Sequence, residues 1–200
     1  MLKIKIAVLV SGSGTNLQAL LDAQKNGIIK SGEINLVISN NEDAYALRRA
    51  KEAGVSTCVV SRKECGERFE QELIQTLKKA GVELVVLAGF MCILSKEFTE
   101  TFQGRIINVH PSLIPSFCGK GYYGLRVHQA ALNYGVKVTG ATVHYVNEVP
   151  DGGKIILQQA VDVLEGDTPQ TLQKRVMEQA EWKLLPQAAE LVCQNLLQQK

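Results

Sequence analysis

Five short apolar runs, at residues 4–10, 34–39, 57–60, 84–88 and 105–109, are each followed by a different texture, and this alternation constrains the fold more than any single motif does. Between them lie stretches with helical periodicity. Leu17, Leu20 and Leu21 share one face before a stop at Gly27, residues 44–53 end at Gly54, and an amphipathic stretch over 65–80 closes at Gly81. Ser95 caps a further short helix. Strands alternating with helices of this length imply right-handed crossovers and a parallel sheet.

The texture changes after His110. Residues 111–125 are rich in Gly, Pro and aromatic side chains and read as a loop. Residues 127–133 read as a short helix. Strands over 136–147 and 154–161 are joined by only Glu148-Val149-Pro150-Asp151-Gly152-Gly153, which predicts an antiparallel pair at the end of the sheet. Thr168-Pro169 opens a final helix in which Pro186 is expected to introduce a kink or a split.

The expected fold class is therefore α/β. A chain of 200 residues suffices for one full core, read here as a single domain over 1–200: a phosphate-binding half over 1–110, then a completing half over 111–200. A formal charge of +2 gives no reason to expect a nucleic acid or an anionic membrane as partner. Cys58, Cys65, Cys92, Cys118 and Cys193 are odd in number and scattered, without a C-x-x-C pair, which points away from disulfides and zinc and toward a reducing compartment. The longest apolar run, 84–94, is too short to span a bilayer, and the basic and apolar opening runs into a glycine turn rather than a cleavage site. The expectation is a soluble cytoplasmic protein.

Three stretches carry candidate chemistry. Ile106-Ile107-Asn108-Val109-His110-Pro111-Ser112 ends a strand on a carboxamide and an imidazole two residues apart, so both side chains point the same way. Pro111 then stops the ladder. Open α/β sheets bind ligands at the carboxyl ends of their strands; the bland alternative is a histidine that caps a turn. Gly12-Ser13-Gly14-Thr15-Asn16 lies where the first strand turns into the first helix, where free amides and the helix dipole suit a phosphate. It is neither a Walker loop nor a full dinucleotide fingerprint, and a ligand-free turn capped by Thr15 is the competing reading. Asp151, beside two glycines, is either turn chemistry or the carboxylate that orients His110 and holds it protonated or in the right tautomer.

Ala88-Gly89-Phe90-Met91-Cys92-Ile93-Leu94 stays apolar past its strand and is either core or the wall of a pocket for a flat organic group. His144, on a strand, and His128, near a helix start, read as structural. No nucleophile elbow appears, and no spacing suggests a metal. An amide, an imidazole and a carboxylate without a covalent nucleophile suit transfer of an acyl-type group from a bound donor to a bound amine.

Taken together, Val10-Ser11-Gly12-Ser13-Gly14-Thr15-Asn16-Leu17-Gln18, Leu87-Ala88-Gly89-Phe90-Met91, Ile107-Asn108-Val109-His110-Pro111-Ser112-Leu113-Ile114-Pro115, Val138-Thr139-Gly140-Ala141-Thr142-Val143-His144-Tyr145-Val146 and Asp151-Gly152-Gly153 resemble the phosphoribosylglycinamide formyltransferase family over nearly the whole chain. The resemblance implies a Rossmann-like, mostly parallel seven-stranded sheet with helices on both faces. It also implies formyl transfer from 10-formyltetrahydrofolate to phosphoribosylglycinamide in purine biosynthesis, without a metal. By position, Asn108, His110 and Asp151 match the catalytic trio, and Gly14, Thr15 and Asn16 match the loop at the ribonucleotide's phosphate end. Met91, Cys92, Ile93 and Leu94, with Asn108, match the folate pocket, and Thr142 and His144 match supporting positions.

Cys92 stands where well-known members carry arginine, and Lys154 where proline is common. No basic residue among Arg62, Lys63 and Arg68 aligns with the one that holds the folate tail in relatives. Methionyl-tRNA formyltransferases share the Asn-x-His segment but carry a tRNA-binding domain, for which this chain has neither length nor basic surface. Formyltetrahydrofolate deformylases carry an extra regulatory domain. A phosphate-ligand binding module without catalysis would keep residues 12–16 and not need His110. The expected partners are small molecules, with a monomer or homodimer as the assembly.

Overall fold

The computed structural model describes residues 2–200. Seven strands form one sheet in the order β3-β2-β1-β4-β5-β6-β7. They are β1 (Ile4–Val10), β2 (Gly32–Ser39), β3 (Ser56–Val59), β4 (Leu84–Leu87), β5 (Ile106–His110), β6 (Val138–Tyr145) and β7 (Ile155–Asp162). The first five are parallel, and β6 and β7 run antiparallel to their neighbours. The expected parallel sheet with an antiparallel end is thus found.

The apolar runs are continuous because both faces of the central strands are covered. Along β1, Ile4, Ile6, Val8 and Val10 pack into one core, with Leu17 and Leu20 of helix α1 (Thr15–Lys25) and Leu185 and Val192 of helix α8 (Trp182–Gln198). Ala7 and Leu9 pack into the other, with Leu73 and Leu77 of helix α4 (Phe69–Lys79) and Phe98 of helix α5 (Lys96–Thr101). The remaining helices are α2 (Tyr45–Glu52), α3 (Arg62–Cys65), α6 (Leu125–Tyr134) and α7 (Pro169–Val176).

β1 and β4 are neighbours whose chains leave in different directions, which opens a crevice at their carboxyl ends. The turns that follow them are tied together where the Met91 amide donates to Ser11 Oγ at 2.8 Å.

Three local expectations are corrected. β5 runs through His110, because the antiparallel partner β6 extends the ladder to a His110–Thr142 pair. The helix expected over 65–80 is divided: Ser61 caps α3 by accepting from the Glu64 amide, and Gly66, at φ 55°, separates it from a 3₁₀ turn that leads into α4. The C-terminal helix is interrupted at a π segment (Met177–Glu181) rather than at Pro186, which stays inside α8.

Candidate active site

The turn after β1 is built on Gly14. Its φ of 72° lies in the left-handed region, and an added Cβ would meet the Ala46 side chain at 2.6 Å. The position therefore requires glycine on two counts. Gly14, and not Thr15, is the N-cap of α1, and no side chain caps this helix. Thr15 Oγ1 instead approaches Met177 Sδ at 3.9 Å, and Asn16 Nδ2 donates to Glu181 Oε2 at 2.7 Å. The Asn16 amide thus spends a hydrogen on a carboxyl group rather than turning it to the open crevice.

Asn108 and His110 lie on the same face of β5, as the period of two requires. The register with β6 sets His144 directly opposite Asn108, and Asn108 Nδ2 comes within 3.2 Å of His144 Nε2. His144 Nδ1 donates to the Tyr145 carbonyl at 2.8 Å, which in the neutral ring leaves Nε2 as the acceptor for the Asn108 amide. Thr142, opposite His110, is fully buried. Its hydroxyl donates to Ser112 O and accepts from the Ile114 amide and from Gln158, so it anchors the chain just past Pro111.

Asp151 arrives from the connection between β6 and β7, which starts beside the first residue of β5 and folds back across the sheet. Its φ is 57°, a strained value for a non-glycine residue. One carboxylate oxygen lies 3.5 Å from His110 Nδ1 and accepts from the Gly119 amide at 2.8 Å; the other lies 3.6 Å from His144 Nε2. Glycine follows at 152 and 153 for a steric reason. A Cβ on Gly152 would strike Val149, and one on Gly153 would overlap the Tyr145 carbonyl.

Electrostatics separates these groups. His110 is 4% exposed, and burial pushes its proton affinity below that of a free histidine, against the opposing pull of Asp151 and the Phe117 carbonyl. Of the two states left open for the ring, protonated or held in one tautomer, the geometry favours the second: without a ligand His110 is neutral at pH 7. Its Nε2 lies 2.9 Å from Phe117 O, an acceptor only, so the N–H sits on Nε2. Burial also works on Asp151, raising its affinity for a proton, but the imidazolium forms of His144 and His110 and the Gly119 amide outweigh it and hold the carboxyl below its ordinary range. Glu181 behaves oppositely. It is 6% exposed, and burial, only partly offset by Asn16, pushes it up to about 7.

These groups face one cavity of about 950 Å³. Thr15, Asn16 and Glu181 line it together with Asn108, His110, His144 and Asp151. Phe90 to Leu94 and residues 146–150 complete the lining. Met91 and Ile93 are 57% and 63% exposed, so this segment is pocket wall rather than core; only Leu94 is buried. Cys92 Sγ accepts from Asn40 Nδ2 at 3.1 Å. None of Arg62, Lys63 or Arg68 lines the cavity, whereas Lys120 does; Arg62 lies over the Phe69 ring. Gly14 is buried and meets the cavity only through its neighbours. His128 is fully buried in α6, where burial lowers it to about 4.

Sequence reasoning missed Glu181, Lys120 and the Phe117 carbonyl. Glu181 alone left a trace, as a carboxylate beside the apolar stripe of Leu172, Val176, Ala180 and Leu184. Among the described residues no group of three or more His, Cys, Asp or Glu side chains is arranged to hold a metal, and no helix is long and apolar enough to cross a membrane.

The formyl transferase family model matches residues 4–189. The trifunctional purine biosynthetic protein adenosine-3 of Gallus gallus is 46% identical over 98% of this chain, which spans 19% of that relative's length. Phosphoribosylglycinamide formyltransferase of Haemophilus influenzae is 44% identical over 91% of this chain and 84% of its own. The crystal structure of glycinamide ribonucleotide transformylase 1 from Symbiobacterium toebii superposes with a TM-score of 0.90 at 44% identity, covering 96% of this chain and 89% of that one. With a mostly parallel seven-stranded sheet and an antiparallel end in common with the resemblance drawn from its motifs, the chain belongs to the formyl transferase family, among the phosphoribosylglycinamide formyltransferases.

Proposed function

We propose that this chain transfers the formyl group of 10-formyltetrahydrofolate to the amine of 5-phosphoribosylglycinamide, yielding formylglycinamide ribonucleotide and tetrahydrofolate. The observation that carries the reading is the convergence of Asn108, His110, His144 and Asp151 on one cavity, between an uncapped helix start and an apolar wall.

The reaction forms a bond from the acceptor nitrogen to the formyl carbon, breaks the bond from that carbon to the donor nitrogen, and moves one proton between the two nitrogens. Between these events the formyl oxygen carries negative charge. Asn108 has one amide hydrogen turned to His144 and a second free for that oxygen, and the His144 contact fixes which end of the carboxamide is the donor. His110 brings the other donor. Its Nε2–H is held by the Phe117 carbonyl and passes to the oxyanion when the 111–124 segment yields. As charge develops, the acceptor's proton passes, directly or through water, to His110 Nδ1, where Asp151 favours the imidazolium, and from there to the departing donor nitrogen. Burial of the pair keeps the local dielectric low and makes each interaction count for more than it would in water.

The first amides of α1 and the Thr15 hydroxyl suit the acceptor's phosphate. The exposed faces of Met91 and Ile93 with residues 146–150 suit the donor's ring system, and Lys120 is the basic side chain at the cavity that can meet an anionic tail. Cys92, bound by Asn40, offers no charged contact there.

The test is formyl transfer from 10-formyltetrahydrofolate with phosphoribosylglycinamide, charged initiator tRNA and water compared as acceptors. Product with the ribonucleotide alone is expected. Product only with the tRNA, or folate release that does not depend on acceptor, would sink the proposal.

A further inference from the structure

Two carbonyl groups of the turn between β1 and α1 are held from outside the turn, both by α2. The Ala46 amide donates to Gly12 O at 3.1 Å, and Arg49 Nε donates to Ser13 O at 2.9 Å. In a trans peptide the carbonyl and the N–H that follows it point in opposite directions. The carbonyl of Gly12 that faces α2 therefore turns the Ser13 amide away from that helix, and the Arg49 bond fixes the plane of the next peptide, Ser13–Gly14. Ser13 and Thr15, on either side of Gly14, line the large cavity. Arg49 does not. It borders a separate groove of about 450 Å³ and so stands behind the turn, not in the space a ligand would fill.

The guanidinium is itself closely oriented. Its Nη1 donates to Gln18 Oε1 at 3.0 Å. Gln18 Nε2 in turn donates to Asp22 Oδ1 at 2.9 Å, which settles which end of that carboxamide faces Arg49. The Tyr45 ring centre lies 4.9 Å from the guanidinium carbon. Arg48, its neighbour in sequence, pairs with Glu52 at the exposed surface, whereas among the described residues no carboxylate pairs with Arg49. A half-buried cation, oriented by Gln18 and Tyr45 and neutralised by no acid, is thus committed to one main-chain carbonyl. Lysine could not reproduce this, because a single ammonium lacks the rigid fork that reaches Ser13 and Gln18 together.

We propose that Arg49 is a positioning residue for the acceptor's phosphate. By fixing the Ser13–Gly14 peptide it sets the angle at which the Ser13 amide and the first amides of α1 converge on one anion. Its positive charge behind the turn also favours a phosphate dianion in front of it. The proposal rests on the reading of residues 12–16 as the phosphate end of the site. It goes beyond that reading in naming a side chain that shapes the turn without touching the ligand. The effect is specific to the phosphate, since Asn108, His110 and Asp151 are carried by other elements.

The experiment compares the wild type, Arg49→Met and Arg49→Lys in steady-state kinetics with two acceptors, phosphoribosylglycinamide and the same compound without its phosphate. In Arg49→Met the KM for phosphoribosylglycinamide should rise about 10- to 100-fold, the range for loss of a hydrogen bond from a charged group. Turnover at saturation and the KM for the folate donor should stay within about twofold, the pattern of lost binding that is equal in ground and transition states. With the dephosphorylated acceptor the three proteins should have the same kcat/KM, which also shows that the variants are folded. Arg49→Lys should fall between the other two. A lysine variant equal to the wild type would overturn the positioning role, because charge alone would then suffice. An equal loss with both acceptors, or no loss with either, would overturn it too and leave the proposed function standing. Failure of the folded wild type to formylate phosphoribosylglycinamide would overturn both.

Discussion

The side-chain nitrogen of Asn108 lies 3.2 Å from Nε2 of His144, a contact set by the strand register, which pairs these two residues directly across β5 and β6. His144 Nδ1 is in turn committed to the Tyr145 carbonyl. A backbone acceptor thus fixes the ring, the ring fixes the carboxamide, and the carboxamide offers a donor to the cavity.

Asn108→Asp keeps the size of the side chain and replaces its donor by an oxygen. Turnover should fall about 100- to 1,000-fold, the loss typical of one oxyanion donor, while KM for both substrates stays within a few-fold. Steady-state kinetics with each substrate varied decides it. Turnover above a tenth of the wild-type rate would remove Asn108 from the transfer step.

His110→Ala should lower turnover about 100- to 10,000-fold and leave acceptor binding intact, because the turn at residues 12–16 is built from other elements. Persistent turnover in the variant would show that the ring serves only the Phe117 carbonyl.

For Asp151→Asn the pH profile is the more telling readout. The Asp151 charge raises the proton affinity of His110 against its burial, so removing the charge lets that affinity drop further. Any acid limb that reports loss of the neutral ring should then move to lower pH, with a lower plateau. An unmoved limb would separate Asp151 from the titration of His110.

Glu181→Gln has a consequence for stability that does not depend on ligand. Burial raises the folded-state value of this carboxyl from 4.5 to about 7. Below 4.5 folded and unfolded chains both carry the proton; between 4.5 and about 7 ionisation favours the unfolded chain. The wild type should therefore lose stability relative to the variant as pH rises through that window, by about 3 kcal/mol at most. Denaturant unfolding at pH 4.5 and pH 8 measures the difference, and parallel pH dependence in the two proteins would contradict a buried, neutral Glu181.

The sheet was legible because each β-run had to satisfy two covered faces, and β1 over Ile4–Val10 falls where its apolar run begins and ends. Asn108 and His110 were legible for the same reason, since a period of two leaves no freedom about their side. The helices were less so. Nothing local to Met177 announces a π turn, and Pro186, the loudest breaker in that stretch, is accommodated inside α8. Asn16 was legible as part of the loop at the phosphate end, but the partner of its carboxamide, Glu181, is distant by 165 positions. Likewise the Phe117 carbonyl and Gly119 amide hold His110 and Asp151 through backbone atoms, which every residue has and no motif marks.

Gly153 packs so closely on the Tyr145 carbonyl that no side chain fits between them, and that carbonyl is where His144 places its Nδ1 proton. A methyl group added at position 153 would displace the acceptor and free the proton to move to the other ring nitrogen, turning a donor toward the Asn108 amide where it had found a lone pair. A change of backbone packing would then surface at the Asn108 carboxamide through a tautomer shift in His144, and inspection of the charged residues alone would not find its source.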